Sequence, residues 1–354
     1  MRHFSRILFV CSVLVALSSC TSTKELTIST IEPSPVDFSN QIRKIGIVNS
    51  SKSSFVKSYS TRLEQLIVME ERWLAEKGTE AALTGLFDEL AQDQRFDTVR
   101  ILDNLDEEMT DFGTRPSKET WNKIAEICEE NGVDAIFSLA SHDTETQFSL
   151  KKTKIDQLDM MRDRTKVSAQ EITLETLIEN GWRVYDPKQR ILVDEFTSND
   201  QITASAKGVS PVDALQAIDK RRETLLEQSK NSGSSYAQRM QPKKLDVQRA
   251  YYVLGTRNFE LADDKIQEGA YHEAIKLWEE EIANPKARIS GRACYNLAVL
   301  SEFNGNLNAA MNWATKSYDL HKEDATLDYI TTLERRQAQS DVLKIQLANT
   351  TFED

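Results

Sequence analysis

The sequence predicts an α/β domain with a mixed sheet and an antiparallel hairpin, followed by an all-α domain of tetratricopeptide-like helical repeats. Two patterns in the 354 residues support this prediction. In the first part, short and almost wholly apolar runs alternate with helical patterns, which is typical of strands buried on both faces. In the second part, small residues recur at a fixed spacing within helical patterns, which is typical of stacked helix pairs.

The first nineteen residues have the pattern of a secretion signal. A basic start with Arg2 and Arg6 precedes the apolar run 7–17, which is shorter than the roughly 20 residues needed to cross a bilayer. The run is followed by Ser-Ser-Cys, and with its last leucine this resembles the bacterial lipobox. We therefore expect residues 1–19 to be a lipoprotein signal peptide and Cys20 to carry acyl chains. An ordinary secretion signal with a chance cysteine is the alternative.

The charge of the chain restricts its partners. The formal net charge is −12, and nucleic-acid binding needs clustered Lys and Arg, so we expect no nucleic-acid partner. Anionic lipid would repel such a surface, so we expect the lipid bilayer to be contacted through acylated Cys20. Thr21 is not an aspartate-type retention signal for the inner membrane. We therefore expect a lipid-anchored protein of the cell envelope, on the outer membrane and facing the periplasm.

Residues 20–42 are predicted to be a lipidated tether, because they are rich in Ser, Thr and Pro, with a short strand over 26–31. Residues 43–232 are predicted to be the α/β domain. Its apolar runs predict buried strands at 45–48, 98–102 and 133–139. Ser117 is expected to cap the N-terminus of a helix, and Asn131-Gly132 is expected to end it.

The later part of the α/β domain predicts an antiparallel hairpin. From Lys166 the apolar residues alternate, with a bulge expected near Asn180-Gly181. The turn at 186–189 contains Asp and Pro, and the run 191–196 supplies the partner strand. The residues Gly233-Ser234-Ser235 are predicted to mark the domain boundary.

Residues 233–354 are predicted to form the helical repeats and a capping helix. Positions with the same role recur at an offset of 36, which matches Ala262, Gly269, Ala274 and Trp278 to Ala298, Gly305, Ala310 and Ala314. Small residues let antiparallel helices cross closely, and the glycines fall at turns. A run of ordinary helices is the alternative, since Lys265 and Ser301 depart from the repeat pattern. Helices over Tyr251–Phe259 and 325–346 would complete the array.

Motifs of catalysis are not found in the sequence. It contains no nucleotide-binding glycine loop, no nucleophile elbow and no paired metal-ligand motif. Ser141-His142-Asp143 cannot form a relay, because neighbouring strand residues point to opposite faces. We expect no catalytic residues, no metal, no cofactor and no enzyme activity. Cys128 and Cys294 are expected to be buried thiols, with a disulfide as the alternative. The tryptophans are expected in the core: Trp73, Trp121, Trp182, Trp278 and Trp313.

Several segments together resemble an uncharacterised family of bacterial envelope lipoproteins, which are domains of unknown function. These segments are Cys20, KIGIVN at 44–49, GWRVYD at 181–186, YAQRMQP at 236–242 and RAYY at 249–252. The resemblance covers nearly the whole chain after the signal and implies no catalytic residues. At fold level the α/β part is also similar to the soluble domain of the curli-secretion lipoprotein, a pore component. Pore-forming hairpins are not evident in this sequence.

These observations favour a membrane-anchored, non-enzymatic scaffold that binds another envelope protein through its helical repeats. Such repeats present a concave face to an extended peptide or a helix. The candidate contacts are positions on the first helices that are expected to be exposed: Asn258, Lys265, Arg292, Asn296 and Glu302. Two alternatives stay open, an oligomeric envelope assembly or secretion component built through the α/β domain and a protein acting on cell-wall glycan. The sequence does not specify the oligomeric state.

Overall fold

The computed structural model describes residues 22–51, 61–102, 112–158 and 164–348. Residues 1–19 and Cys20 lie outside these ranges, so the predicted signal peptide and lipid anchor stay predictions. The chain divides into two compact units. The α/β unit comprises residues 34–241, and the helical unit combines the residues before Ser34 with 242–347. Within the described ranges, no helix has the length and the apolar character required to cross a membrane.

The secondary structure confirms an α/β part followed by a run of helices. The strands are β1 Thr23–Glu32, β2 Lys44–Asn49, β3 Thr98–Ile101, β4 Ala135–Leu158, β5 Arg164–Asp186, β6 Ile191–Gly208 and β7 Lys243–Tyr252. The helices of the α/β unit are α1 Arg62–Leu90, α2 Lys118–Asn131, α3 Pro211–Gln216 and α4 Arg221–Arg239. Those of the helical unit are α5 Arg257–Gln267, α6 Tyr271–Glu281, α7 Ala287–Phe303, α8 Leu307–Leu320 and α9 Asp324–Ala348.

The α/β unit is built around a mixed sheet with the strand order β3-β2-β4-β5-β6. Strand β2 is parallel to β3 and β4, whereas β4, β5 and β6 are antiparallel to one another. On one face, α1 and α4 contribute to a core that includes Leu86, Trp182 and Tyr236. On the other face, α2 buries Trp121 and Ile124 with Tyr185. Burial on both faces explains the apolar strands, since each fully buried large side chain contributes roughly 1.5–3 kcal/mol.

The strands β4 and β6 are much longer than the sequence predicts. The predicted strand at 133–139 is the start of β4, which continues to Leu158, and the predicted strand at 191–196 is the start of β6, which continues to Gly208. The bulge lies between Leu139 and Ser141 of β4, opposite Gly181, and not within β5 as predicted. Most of the added residues are polar, and apolar ones such as Phe148, Leu150 and Ile202 are scattered among them, so no sustained apolar alternation reveals the strands.

The predicted domain boundary at Gly233 is wrong, because this residue lies inside α4. A β-carbon built on Gly233 would be 1.9 Å from the carbonyl oxygen of Ala82, and one built on Gly85 would be 2.0 Å from that of Lys230. Both glycines therefore permit the close crossing of α1 and α4. The chain passes from one unit to the other between Gln241 and Pro242.

The helical unit contains the helix pairs α5–α6 and α7–α8, followed by α9. Positive φ angles of 75° at Gly269 and 77° at Gly305 form the turns within the two pairs. The small residues of the predicted repeat are fully buried: Ala262, Ala274, Ala298, Ala310 and Ala314. The positions thus serve close packing of helices, while the assignment to tetratricopeptide repeats stays a prediction.

The helical unit also contains a two-stranded sheet that the sequence patterns do not predict. Strands β1 and β7 pair without interruption from Thr23 opposite Tyr252 to Glu32 opposite Lys243. The predicted tether over 20–42 is therefore wrong for residues 23–32, and the predicted short strand at 26–31 lies within β1. Tyr251 and Tyr252 end a strand and do not begin a helix. We call β1 and β7 together the ribbon.

Candidate functional site

Two hydrogen bonds join helix α7 to the ribbon, at residues predicted to bind a partner. The backbone N–H of Tyr252 donates to Oδ1 of Asn296 at 2.7 Å, and Nδ2 of Asn296 donates to the carbonyl oxygen of Tyr252 at 2.7 Å. Asn296 has no solvent exposure. Its side-chain amide therefore bonds to both the N–H and the carbonyl oxygen of one strand residue. The same pair of hydrogen bonds could be made to an extended peptide.

Glu302, six residues further along α7, forms the second contact with the ribbon. Arg249 of β7 donates to both of its carboxylate oxygens, at 2.9 and 3.1 Å. Tyr329 of α9 donates to the same carboxylate at 2.7 Å, and Arg336 also pairs with it. Arg336 in turn donates to Oγ1 of Thr30 in β1 at 2.6 Å. This charge network joins both strands of the ribbon to two helices.

Arg292 completes this side of α7 through an aromatic contact. Its guanidinium lies 4.3 Å from the ring centroid of Tyr252, and it is 3.7 Å from Glu323. Tyr252 donates from its hydroxyl to Glu323 at 2.5 Å. Burial and this carboxylate both raise the pKa of Tyr252 above its ordinary value. The arginine therefore packs on the end of the ribbon.

The five candidate contacts are not one exposed surface. Asn296 and Glu302 are buried and bind the ribbon, so the expectation that they are exposed is wrong, and Arg292 is largely covered by the same contacts. Asn258 donates to Glu280 at 3.2 Å near the surface, and Lys265 pairs with Glu268 at 2.8 Å. The residue types suit recognition of an extended chain, but the chain that they bind is their own.

A different cleft, in the α/β unit, exposes aromatic and apolar side chains. It has a volume of about 700 Å³ and is lined by residues of α1, of α3 and of the start of α4. Met69 is 70% exposed and Trp73 is 39% exposed. The guanidinium of Arg222 lies 5.2 Å from the Trp73 ring centroid. The prediction that Trp73 is a core residue is therefore wrong. We call this site the Trp73 cleft.

Ion pairs stabilise the wall of the Trp73 cleft. Glu70 pairs with Arg221 at 2.8 Å and with Arg222 at 3.1 Å. Arg221 is buried, and it also donates to the hydroxyls of Thr146 and Thr176 at 3.1 and 2.9 Å. Burial lowers the pKa of Arg221, and Glu70 opposes that effect. Arg221 thus fixes the beginning of α4 to the sheet, while its neighbour Arg222 is left on the surface beside Trp73.

The sequence gives only part of the signal for this cleft. Met69 and Trp73 are four residues apart, so a helix places them on one face. Arg222 comes from a distant segment, which turns at Lys220 through a left-handed backbone with φ of 57°. A positive φ at lysine is uncommon, and no local pattern predicts it. The approach of Arg222 to Trp73 therefore depends on the tertiary fold.

His142 belongs to a buried polar cluster and not to a relay with its sequence neighbours. Its Nδ1 lies 2.6 Å from Oδ1 of Asn180, and Nδ2 of Asn180 donates to Ser232 at 2.9 Å. Asp143 is exposed, on the opposite face of β4. Burial lowers the pKa of His142, which favours the neutral ring that can donate to the Asn180 oxygen.

Comparison with known families shows that most of the α/β unit matches a single family. Residues 42–252, more than half of the chain, match the family described as a domain of unknown function, DUF8603. The chain belongs to the DUF8603 family. This agrees with the resemblance to an uncharacterised family. The DUF8603 segment contains the whole Trp73 cleft and ends at Tyr252, the residue that Asn296 binds.

A second family covers part of the helical unit. Residues 260–335 match a domain of unknown function, DUF6340. Asn296 and Glu302 lie in this segment, so their contacts with the ribbon join the DUF6340 segment to the end of the DUF8603 segment. No curated protein was found to match the chain.

Among solved structures, the DUF8603 chain is similar to PelC from Paraburkholderia phytofirmans. One match is a PelC dodecamer in space group P6, with 11% identity and a TM-score of 0.25, covering 62% of this chain and 98% of that chain. Another is a substituted PelC dodecamer in space group C2, with 11% identity and a TM-score of 0.24, covering 61% and 98%. Scores of this size do not establish a shared fold.

Proposed function

We propose that the chain is a lipid-anchored envelope protein that works by binding another protein at its Trp73 cleft, without catalysing a reaction. The observation that carries the proposal is the exposure of Met69 and Trp73 beside Arg222. Trp and Arg are enriched among the residues that dominate binding energy at protein interfaces, and Met adapts its shape to varied partners. A partner segment that inserts an apolar side chain beside Trp73 would cover this surface.

The site proposed for the partner therefore differs from the concave face that the sequence favours. There, Asn296 and Glu302 are already bonded to the ribbon. A partner that used them would first have to displace a strand held by ten residue pairs with β1. The Trp73 cleft needs no such displacement, and a preformed site saves the cost of ordering.

The lipid anchor is supported by the sequence around Cys20, and β1 begins close to that residue. Thr21 and Ser22 alone separate Cys20 from Thr23, the first residue of β1. Two acyl chains on Cys20 would hold the protein on a bilayer stably. With so short a link, the helical unit would stay close to the membrane surface.

A labelling experiment tests the anchor. Cells that produce the wild-type chain are given a labelled fatty acid, and Cys20→Ala serves as the matched control. We expect label on the wild-type protein and none on the variant, together with membrane fractionation of the wild type only. An unlabelled wild-type protein in the soluble fraction would refute the anchor.

Photo-crosslinking tests the cleft. A photoreactive residue is placed at Met69 in the full chain, and the control carries it at Glu80, which is exposed on the same side of the same helix about 16 Å away. We expect a discrete protein adduct from position 69 only, lost with Trp73→Ala and kept with Trp73→Phe. Equal adducts at both positions, or none at position 69, would contradict the proposal.

A second candidate function is an envelope assembly or secretion component that oligomerises through the α/β unit. One observation favours it, the distribution of charge along the exposed parts of β4 and β5. Positive side chains gather at one end of these strands and carboxylates lie at the other.

A further inference from the structure

Strands β4 and β5 continue past the rest of the sheet as a two-stranded arm. Strand β2 pairs with β4 only as far as Leu139, and β6 pairs with β5 only from Gln170 onward. Residues 151–158 and 164–169, which we call the arm, pair with each other, and no other described strand joins them. Most side chains of the arm are exposed. The arm is thus available for contact with another molecule.

One face of the arm is positively charged. The register places Lys152, Lys154, Lys166 and Arg164 on the face that also carries Ile172, which packs under α1 and α3. All four cations are exposed. Among the described residues of the arm, Asp156 opposite Lys166 is the single carboxylate on that face. A cationic face of this kind stands out in a chain whose formal net charge is −12.

The other face of the same strands carries a group of carboxylates nearer the core. We call Asp143, Glu145, Glu175 and Glu179 the acidic face. Asp143 lies directly opposite Glu179, and Glu175 lies opposite Gln147, so the four are cross-strand or diagonal neighbours. Like charges directly opposite each other on a sheet are destabilising. A cationic partner at this face would relieve that repulsion.

The arm cannot neutralise the acidic face of its own chain. Glu145 and Lys154 are nine residues apart along β4, a distance of about 30 Å, and their side chains point to opposite faces of the strand. No ion pair joins the four cations of the arm to another described residue. Both surfaces therefore present their charges to the surroundings, where a second copy of the chain can match them.

We propose that the chain assembles head to tail, with the cationic face of the arm of one copy docked on the acidic face of the next. Contact between two arms, or between two acidic faces, would oppose like charges. A single contact between unlike faces uses different surfaces of the two copies, so it is heterologous and leaves one arm and one acidic face free for further copies. Heterologous contacts generate rings when the rotation closes and filaments when it does not. The inference does not depend on acylation of Cys20.

Charge reversal tests the assembly. The arm variant is Lys152→Glu with Lys154→Glu, the face variant is Glu145→Lys with Glu175→Lys, and the control is Lys118→Glu with Lys188→Glu, at two exposed lysines outside the arm. Mass is measured by sedimentation and light scattering, on the full chain in detergent and on the chain without its first twenty-one residues. Low salt is compared with 1 M salt, where the screening length falls to about 3 Å.

We expect the wild type and the control to form a species larger than a monomer at low salt, and both to dissociate at high salt. Each of the other two variants alone is expected to be monomeric, because two reversed charges remove the complementarity between its arm and its acidic face. Mixed in equal amounts, they are expected to assemble again, since the unchanged arm of the face variant can dock on the unchanged acidic face of the arm variant. This recovery would also show that both variants are folded.

Three results would overturn the inference. The first is a wild-type protein that is monomeric at low salt, and the second is an assembly that both reversals leave intact. The third is a monomer whose arm binds vesicles containing anionic lipid, with binding lost in the arm variant, because the arm would then be a membrane contact. A failure of cleft crosslinking at Met69 would leave the assembly unaffected, so the two proposals are separable.

Discussion

The side chain of Asn296 bonds to both main-chain groups of Tyr252, accepting from its N–H and donating to its carbonyl oxygen, each at 2.7 Å. This pair of bonds fixes the end of the ribbon to the buried face of α7. It explains why a residue type suited to peptide recognition lies in the helical unit without an exposed surface. Asn296, which the sequence predicts to contact a partner, instead holds a strand of the same chain.

Replacing Asn296 by leucine is expected to lower the free energy of unfolding of the helical unit by roughly 2 to 4 kcal/mol. Leucine has a similar volume but leaves the N–H and the carbonyl of Tyr252 buried without partners, and each such group costs about 1–3 kcal/mol. Urea denaturation followed by circular dichroism measures the change. Asn258→Leu is the control, because Asn258 bonds near the surface, and it should stay within about 0.5 kcal/mol of wild type. Equal losses in both variants would contradict this role of Asn296.

Gly233→Ala is expected to destabilise the α/β unit although alanine is the better helix former. Helix propensity alone would favour alanine by about 1 kcal/mol. The new β-carbon would lie 1.9 Å from the carbonyl oxygen of Ala82, however, so α1 and α4 would have to separate. The matched control is Ser235→Ala, at an exposed position two residues further along α4. Thermal unfolding should show a lower melting temperature for the glycine variant only. An unchanged or raised value would refute the close crossing.

The ends of α2 and the glycine inside α4 show what the sequence can and cannot predict. Ser117 caps α2, and Gly132 ends it with φ of 63°, as predicted, because caps and turns depend on neighbouring residues. Gly233-Ser234-Ser235 has the composition of a linker, but its meaning depends on Ala82, far away in sequence. Local composition does not distinguish a flexible linker from a close helix crossing.

The candidate sites also combine features that neighbouring residues predict with features that depend on distant parts of the chain. Asn296 and Glu302 are predictable as recognition residues from their place on the first helix of a pair, yet the ribbon that binds them is not. Leu245 and Val247 alternate with polar residues, but Arg249 lies on the same side of the strand as they do, and the aromatic pair Tyr251-Tyr252 is also compatible with a helix. Their strand form depends on pairing with β1, more than two hundred residues earlier.

Ala310→Arg is expected to unfold the helical unit. Ala310 has no solvent exposure and lies in α8 among the buried residues of the helix pairs. An arginine there would overpack the crossing and bury an unpaired charge. Asn312→Arg is the control, since Asn312 is exposed on the same helix. Hydrogen exchange should show loss of protection from α5 to α9 in the first variant, with protection of the α/β unit retained. Unchanged protection in α8 would refute this packing.

Alkaline pH is expected to destabilise the helical unit through its buried tyrosines. Burial raises the pKa of Tyr295 to about 12 and raises those of Tyr252 and Tyr329 as well. An unfolded chain releases these protons near pH 10, while the folded chain keeps them. The unfolded state therefore binds fewer protons between pH 10 and the folded pKa, so stability is complete below pH 10 and falls as the pH rises.

Tyr295→Phe isolates one part of this effect. The free energy of unfolding is measured by urea denaturation at pH 9, 10, 11 and 11.5 for the wild type and the variant. Each tyrosine with a raised pKa contributes a slope of up to about 1.4 kcal/mol per pH unit above pH 10. We expect the variant to lose less stability than the wild type between pH 10 and 11.5. Between pH 9 and 10 the free energies of unfolding of the two proteins should change by similar amounts. Equal slopes over the whole range would mean that Tyr295 ionises in the folded protein as readily as in the unfolded chain, which its burial opposes.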